Sequence, residues 1–192
     1  MERRRQGISH LVLVGVLLAS MLVGMRETAA LEVGEKAPDF TLPSTMGDKI
    51  SLSQFQGKQF VLIEFYGADF APVRAANLSA RKADYSKFQH LNVQILAISG
   101  DNPFSQKAQA DSLQLPYPLL SDLYLQVTRA YGVLYGSTGA KFDPGLEGRM
   151  PGRAFFLVDQ RGIVRGKWIG EDLAVFPNDV LLQAAQDVAQ KP

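Results

Sequence analysis

Glu64 lies inside an apolar run, Phe60–Tyr66 (FVLIEFY), and a carboxylate buried in a strand needs a cationic partner. Arg74 follows Pro72 into the first turn of a predicted helix. Helix amides there already carry positive partial charge, so a guanidinium is disfavoured by a few tenths of a kcal/mol up to about 1. Such a group suits an anion: a carboxylate, phosphate or sulfate. Its other outlets are solvent, or an ion pair with a nearby acid such as Glu64 or Asp69, because spacing alone does not set side-chain direction. Most other chemistry is excluded by composition. The chain has no cysteine, hence no thiol nucleophile, no disulfide and no thiol for lipid attachment. Beyond the first thirty residues His90 is the lone histidine, at a predicted helix end, and neither a metal site nor a Ser-His-Asp set can be built around it. Asp101, Asp122, Asp159 and Asp172 fall at turns, where Asp bonds local backbone. Met150 could only be oxidised sacrificially. There is no phosphate loop or dinucleotide fingerprint, and no cofactor is implied.

The elements that must position these residues follow from the hydrophobic pattern. Extended pieces at Phe40–Leu42 and Lys49–Leu52 flank a Gly47-Asp48 turn and predict a hairpin. Phe60–Tyr66 and Val93–Ser99 are continuous enough for strands buried on both faces. Between them a helix is expected from Pro72 to about Phe88, with Leu78, Tyr85 and Phe88 facing inward. A second helix covers Phe104–Leu113, ended by Pro116 and Pro118. Leu119–Asp122 is a short extended piece and turn, and Leu123–Tyr131 a helix stopped by Gly132. Gly136–Met150 is loop-like. Ala154–Asp159 and Ile163–Ile169 form a hairpin about Gln160-Arg161-Gly162, and Asn178–Val188 is the last helix. This order predicts an α/β sandwich.

The chain has 192 residues, is 46% hydrophobic and carries a net charge of +1, so nothing in its charge points to nucleic acid. Residues 1–30 stand apart from the domain expected over 31–192. Arg3, Arg4 and Arg5 precede the apolar run Leu11–Met25, and small residues Thr28, Ala29 and Ala30 follow Arg26-Glu27. That is the layout of a cleaved secretory signal, and its length also approaches that of a membrane anchor. Either way the domain is expected outside the cytoplasm, periplasmic or secreted, or anchored through Leu11–Met25. Removing the four Arg and two Glu of residues 1–30 takes the net charge to −1.

Several segments together resemble one family. VGEKAPDFTL (Val33–Leu42) is similar to the opening motif of peroxiredoxins, the alkyl hydroperoxide reductase and thiol-specific antioxidant family. VQILAISGDNPFSQKAQADSLQLPYPLLSD resembles its middle segment, and GRAFFLVDQRGIVRGKW its closing hairpin. VLIEFYGADFAPVRAANL (Val61–Leu78) resembles the segment bearing the reactive cysteine, closest to the bacterioferritin-comigratory branch. The resemblance covers about Val33–Gln190 and implies a thioredoxin-like fold of the peroxiredoxin type, a mixed β-sheet with helices on both faces. It also implies a thiol peroxidase, in which a helix-end thiolate attacks peroxide while an arginine and a Thr or Ser hold the oxygens.

Carried over by position, Gly67 takes the place of the family's shielding proline, Ala71 that of the hydroxyl and Arg74 that of the cysteine. Asn77 falls where the family often has Glu or Gln, and Arg153 matches its retained arginine. An arginine is no nucleophile, and Ala71 donates no hydrogen bond. The leading expectation is therefore a non-peroxidatic envelope domain that binds or scaffolds an unknown protein partner. The rivals are a peroxide-reducing oxidoreductase, as the family implies, and a sensor of small anions using Arg74 and Arg153. If Arg153 is near Arg74, a Glu64–Arg74 or Glu64–Arg153 ion pair is expected to neutralise the pocket. In the family the region of Asp69-Phe70 contributes to dimers, so Phe70 and Tyr66 are candidates for a homodimer face, or for the core.

Overall fold

A computed structural model describes residues 31–67, 72–136, 147–170 and 175–190. Leu11–Met25, Asp69, Phe70, Ala71 and Asp172 lie outside the described residues, as do 137–146 of the expected loop. No described helix is long and apolar enough to cross a membrane.

The apolar run becomes strand β3 (Phe60–Phe65), flanked by β4 (Val93–Ser99) in parallel and β6 (Arg153–Val158) in antiparallel pairing. Parallel β5 (Leu119–Ser121) follows β4. The expected first hairpin, β1 (Thr41–Ser44) and β2 (Gly47–Ser51), joins through Ser44 opposite Leu120. At the other edge β7 (Val164–Gly170) closes the second hairpin on β6. Among the described residues the sheet thus has seven strands, in the order β2-β1-β5-β4-β3-β6-β7.

The α-helices of the described residues are α1 (Pro72–Ala83), α2 (Tyr85–His90), α3 (Pro103–Leu113), α4 (Gln126–Ala130) and α5 (Asn178–Ala189). Strand alternation sorts the core into two layers. Val61, Ile63 and Phe65 face Leu96, Ile98, Phe156 and the ring of Tyr131, beyond α4. Leu62 and Tyr66 face the other way, against Leu78 of α1, Phe88 of α2, Ala110 of α3 and Leu181 and Ala185 of α5. Helices therefore lie on both faces, as expected of the thioredoxin-like fold. Glu64 falls between Leu62 and Tyr66 in the alternation and so points beneath α1.

Local capping sets the helix bounds. Asn102 accepts from Phe104 N and Ser105 N ahead of Pro103, which opens α3. The expected helix 123–131 begins later, at Gln126. Leu125 takes a left-handed φ of 55°, and the Asp122 carboxylate accepts from Gln126 N, Val127 N and Thr128 N. The single helix expected over 72–88 is also divided. Asp84, with φ −109° and ψ 13°, leaves helical geometry, while its carboxylate binds Lys87 Nζ at 2.7 Å and Asn178 Nδ2 at 2.7 Å. Those two bonds offset the break and tie α2 to the start of α5. Tyr66 is 1% exposed and belongs to the core, so it offers no dimer face.

Candidate functional site

Glu64 lies on the central strand β3, opposite Phe155 of β6 and Ala97 of β4, with no exposed surface. Its partner is Arg81 of α1, Nε to Oε2 at 3.4 Å, and that side chain is equally buried. The expected pairs with Arg74 or Arg153 are not the ion pair that forms. Arg81 descends from the inner stripe of α1, directly above Glu64, whereas Arg74 is two turns away at the helix start. Neither Glu64 oxygen accepts a hydrogen bond, and Arg81 Nε and Nη1 donate none. Such an arrangement carries a desolvation cost that the ionic contact only partly offsets. Burial pushes the Glu64 carboxyl above its ordinary 4.5, against the pull of Arg81, Arg153 and Arg74.

Arg81 also does structural work. Its Nη2 donates to Phe176 O at 2.7 Å, while Asn77 Oδ1, one turn earlier, accepts from Phe176 N at 3.1 Å. Both backbone groups of Phe176 are thereby held by one face of α1. The Phe176 ring stacks on Phe155, centroids 4.8 Å apart, and Phe155 in turn lies 5.0 Å beneath the Arg81 guanidinium. Pattern reading missed Arg81. The signal was present, because position 81 falls on the same stripe as Leu78 and Tyr85.

Arg74 is partly buried, and its guanidinium packs over Gly67, just past the end of β3. A Cβ at Gly67 would stand 3.1 Å from Nη2, 3.3 Å from Nε and 3.4 Å from Cζ. Arg153 opens β6 opposite Gly170 of β7, and its guanidinium covers that glycine; a Cβ there would stand 2.5 Å from Nε. The register Phe65–Ala154 brings the start of β6, and with it Arg153, to the end of β3 where Gly67 lies, close enough for the Arg153 charge to act on Arg74. Burial, then the Arg153 charge, holds Arg74 below the usual arginine range, while Glu64 and Tyr135 pull it back up. The structure thus brings Glu64, Gly67, Arg74 and Arg153 together.

The remaining candidates lie elsewhere or are locally occupied. His90 Nδ1 sits 2.6 Å from Ser86 O at the end of α2, exposed. Met150 O accepts from Tyr135 N in a surface turn. Asp159 organises the β6–β7 turn, accepting from Arg161 N, Ile163 N and Arg165 Nε. Among the described residues no group of acidic, His or Cys side chains converges as metal ligands would.

The profile of the AhpC/TSA family matches residues 33–167. The chain belongs to this family. Peroxiredoxin Q of Populus jackii chloroplasts is 35% identical over 137 residues, 71% of this chain and 60% of that protein. The chloroplastic 2-Cys peroxiredoxin BAS1 of Arabidopsis thaliana is 31% identical over 173 residues, 83% of this chain and 61% of its own length. This AhpC/TSA chain thus spans about 60% of the length of such curated relatives. Among solved structures, AhpC of Enterococcus faecalis superposes with a TM-score of 0.70 at 27% identity, over 83% of this chain and 95% of that one. Peroxidoxin BcpB of Mycobacterium tuberculosis shares the fold, with a TM-score of 0.70 at 24% identity over 82% of this chain and 98% of that one. In this AhpC/TSA chain no cysteine stands anywhere in the sequence, so a thiolate is not among its available nucleophiles.

Proposed function

We propose that this domain acts by binding rather than by thiol chemistry: a non-peroxidatic, peroxiredoxin-like domain of the cell envelope. The observation that carries this reading is Arg74 over Gly67. Arg74 occupies the position that the resemblance gives to the reactive cysteine, and Gly67 that of the shielding proline. A proline ring at 67 would intrude on the guanidinium, whose atoms already lie 3.1–3.4 Å from a Cβ position. The two replacements therefore fit one another sterically. A guanidinium has no lone pair to give a peroxide oxygen, and it stays protonated even when burial lowers its affinity for the proton. The basic start, apolar run and small residues of positions 1–30 support the envelope location.

The decisive experiment supplies hydrogen peroxide, then an organic hydroperoxide, to purified protein with a thiol donor. Consumption no faster than in buffer is expected. Turnover would overturn the reading and return the chain to the thiol-specific antioxidant oxidoreductases its family suggests. Fractionation of cells expressing the full chain tests the location: recovery in the cytosol, with residues 1–30 intact, would remove the envelope from the proposal.

A further inference from the structure

At the opposite end of β3 from Gly67 lies an open groove of about 490 Å³. It starts at Phe60, the first residue of that strand and roughly 20 Å from Gly67 by strand rise. Phe60, with Val188 and Ala189 from the last turn of α5, supplies an apolar wall. Gln160 and Arg161 of the β6–β7 turn, with Arg165 of β7, supply the polar side. Small-molecule sites typically measure about 300 to 1,000 Å³ and combine an apolar lining with a few placed polar groups.

The polar side is built around one carboxylate. Asp159 Oδ2 accepts from Arg165 Nε at 2.7 Å and has Arg161 Nε at 3.5 Å. Its Oδ1 accepts from the amides of Arg161 at 2.8 Å and Ile163 at 2.9 Å. Two guanidiniums thus share one negative charge. Arg165 meets Asp159 through Nε, so the edge of its fork that carries the two Nη groups is turned away from that carboxylate. Such an edge offers two parallel N–H donors, which a planar carboxylate accepts together.

The charge balance selects the ligand. Two cations, one carboxylate and about half a negative charge from the C-terminal end of α5 leave a small positive surplus. A monoanion matches that surplus. A phosphate dianion exceeds it and is repelled more strongly by Asp159. A head group alone leaves Phe60, Val188 and Ala189 uncovered. An alkyl or aryl body covers them, and each methylene fully removed from water tightens binding by roughly threefold.

We propose that this groove binds an amphipathic monocarboxylate, its head on Arg165 and Arg161 and its alkyl or aryl body along Phe60, Val188 and Ala189. Binding involves no covalent or redox step. The site shares no residue with the corner at Gly67, so it stands or falls independently of the non-peroxidatic reading.

Amide NMR of the isotope-labelled full chain, titrated with hexanoate, acetate, hexylammonium and inorganic phosphate, tests this. Hexanoate is expected to shift the amides of Gln160, Arg161 and Ala189, and to bind about tenfold or more tighter than acetate. Arg165→Gln should weaken hexanoate by about tenfold or more, since a charge-assisted pair is lost. Ala189→Glu, at an exposed position, sets a carboxylate on the apolar wall and should abolish binding with melting behaviour unchanged. Hexylammonium binding tighter than hexanoate would show that Asp159 and the end of α5 govern the groove, and would overturn the proposal. So would no hexanoate binding, shifts confined to other parts of the fold, phosphate binding tighter than hexanoate, or unchanged affinity in both variants. Hexanoate binding only after deletion of residues 191 and 192 would assign the groove to the chain itself and overturn it as well.

Discussion

The guanidinium of Arg74 packs against the face of Gly67 where a side chain would otherwise stand, with Nη2 3.1 Å from the Cβ position. That contact couples the end of β3 to the first turn of α1. The charges of Glu64 and Tyr135 partly offset what opposes a cation at this helix start, namely burial, the Arg153 charge and the helix dipole.

The coupling is measurable by a double-mutant cycle. Gly67→Ala forces the flexible end of Arg74 to move by a few tenths of an ångström. It should cost about 0.5–1 kcal/mol in urea denaturation. In an Arg74→Ala background the same change should be neutral or slightly stabilising, because Ala restricts the unfolded chain more than Gly. Additive effects of the two substitutions would show that the contact does not form.

The Glu64–Arg81 pair gives a sharper contrast. Arg81→Met leaves a carboxylate buried without its partner and frees the Phe176 carbonyl, so a loss of about 3–5 kcal/mol is expected. Glu64→Leu combined with Arg81→Met removes both charges and should recover most of that loss, because neither Glu64 oxygen has a hydrogen bond to forfeit. Chemical denaturation of the single and double variants checks this. A double variant as unstable as Arg81→Met would mean that the clasp on Phe176, rather than the ion pair, dominates.

Acidity separates Glu64 from Asp159. Burial raises the Glu64 carboxyl above 4.5 in the folded state, with Arg81 and Arg74 of α1, and Arg153 of β6, opposing. Its contribution to stability is therefore complete below pH 4.5 and lost as pH rises through the folded value, at no more than about 1.4 kcal/mol per pH unit. Burial also acts on Asp159, but the Ile163 amide, Arg165 and the Arg161 amide outweigh it and hold its carboxyl below 3.8. That contribution is present above pH 3.8 and lost as pH falls. In Glu64→Gln the decline of stability above pH 4.5 should flatten, whereas Asp159→Asn should flatten the acid limb. Melting curves across pH 3–8 read both; parallel profiles for wild type and Glu64→Gln would refute the assignment to Glu64.

Much of this architecture was legible in the residues, and the gaps have physical causes. Phe60–Phe65 and Val93–Ser99 announce buried strands because burial on both faces removes any polar alternation. The need of Glu64 for a cation followed from the same burial. Its partner was obscured because arginines on helices are usually solvated, so the charge at 81 hid a position on the stripe of Leu78. The helix break at Asp84 depends on Asn178, far along the chain, and no local pattern encodes such a bond. Similarly, Arg74 facing Gly67 rather than solvent is a packing outcome that spacing leaves open.

The last prediction concerns restoration. Gly67→Pro, Ala71→Thr and Arg74→Cys together rebuild the set that the family resemblance assigns to peroxide reduction. The introduced thiol would sit in the first turn of α1, where helix amides and Arg153 favour the thiolate, while Glu64 in the layer beneath opposes it. We expect slow but measurable consumption of hydrogen peroxide with a thiol donor in the triple variant. Arg74→Cys alone should remain near buffer, since Gly67 leaves the sulfur open to water and Ala71 supplies no donor to the peroxide. Adding Glu64→Gln to the triple variant removes the opposing charge, so the pH at which activity appears should fall. If the triple variant folds with native melting behaviour yet stays inert, the scaffold itself has departed from peroxidase geometry. Equal activity in Arg74→Cys and the triple variant would instead leave the missing cysteine as the sole barrier.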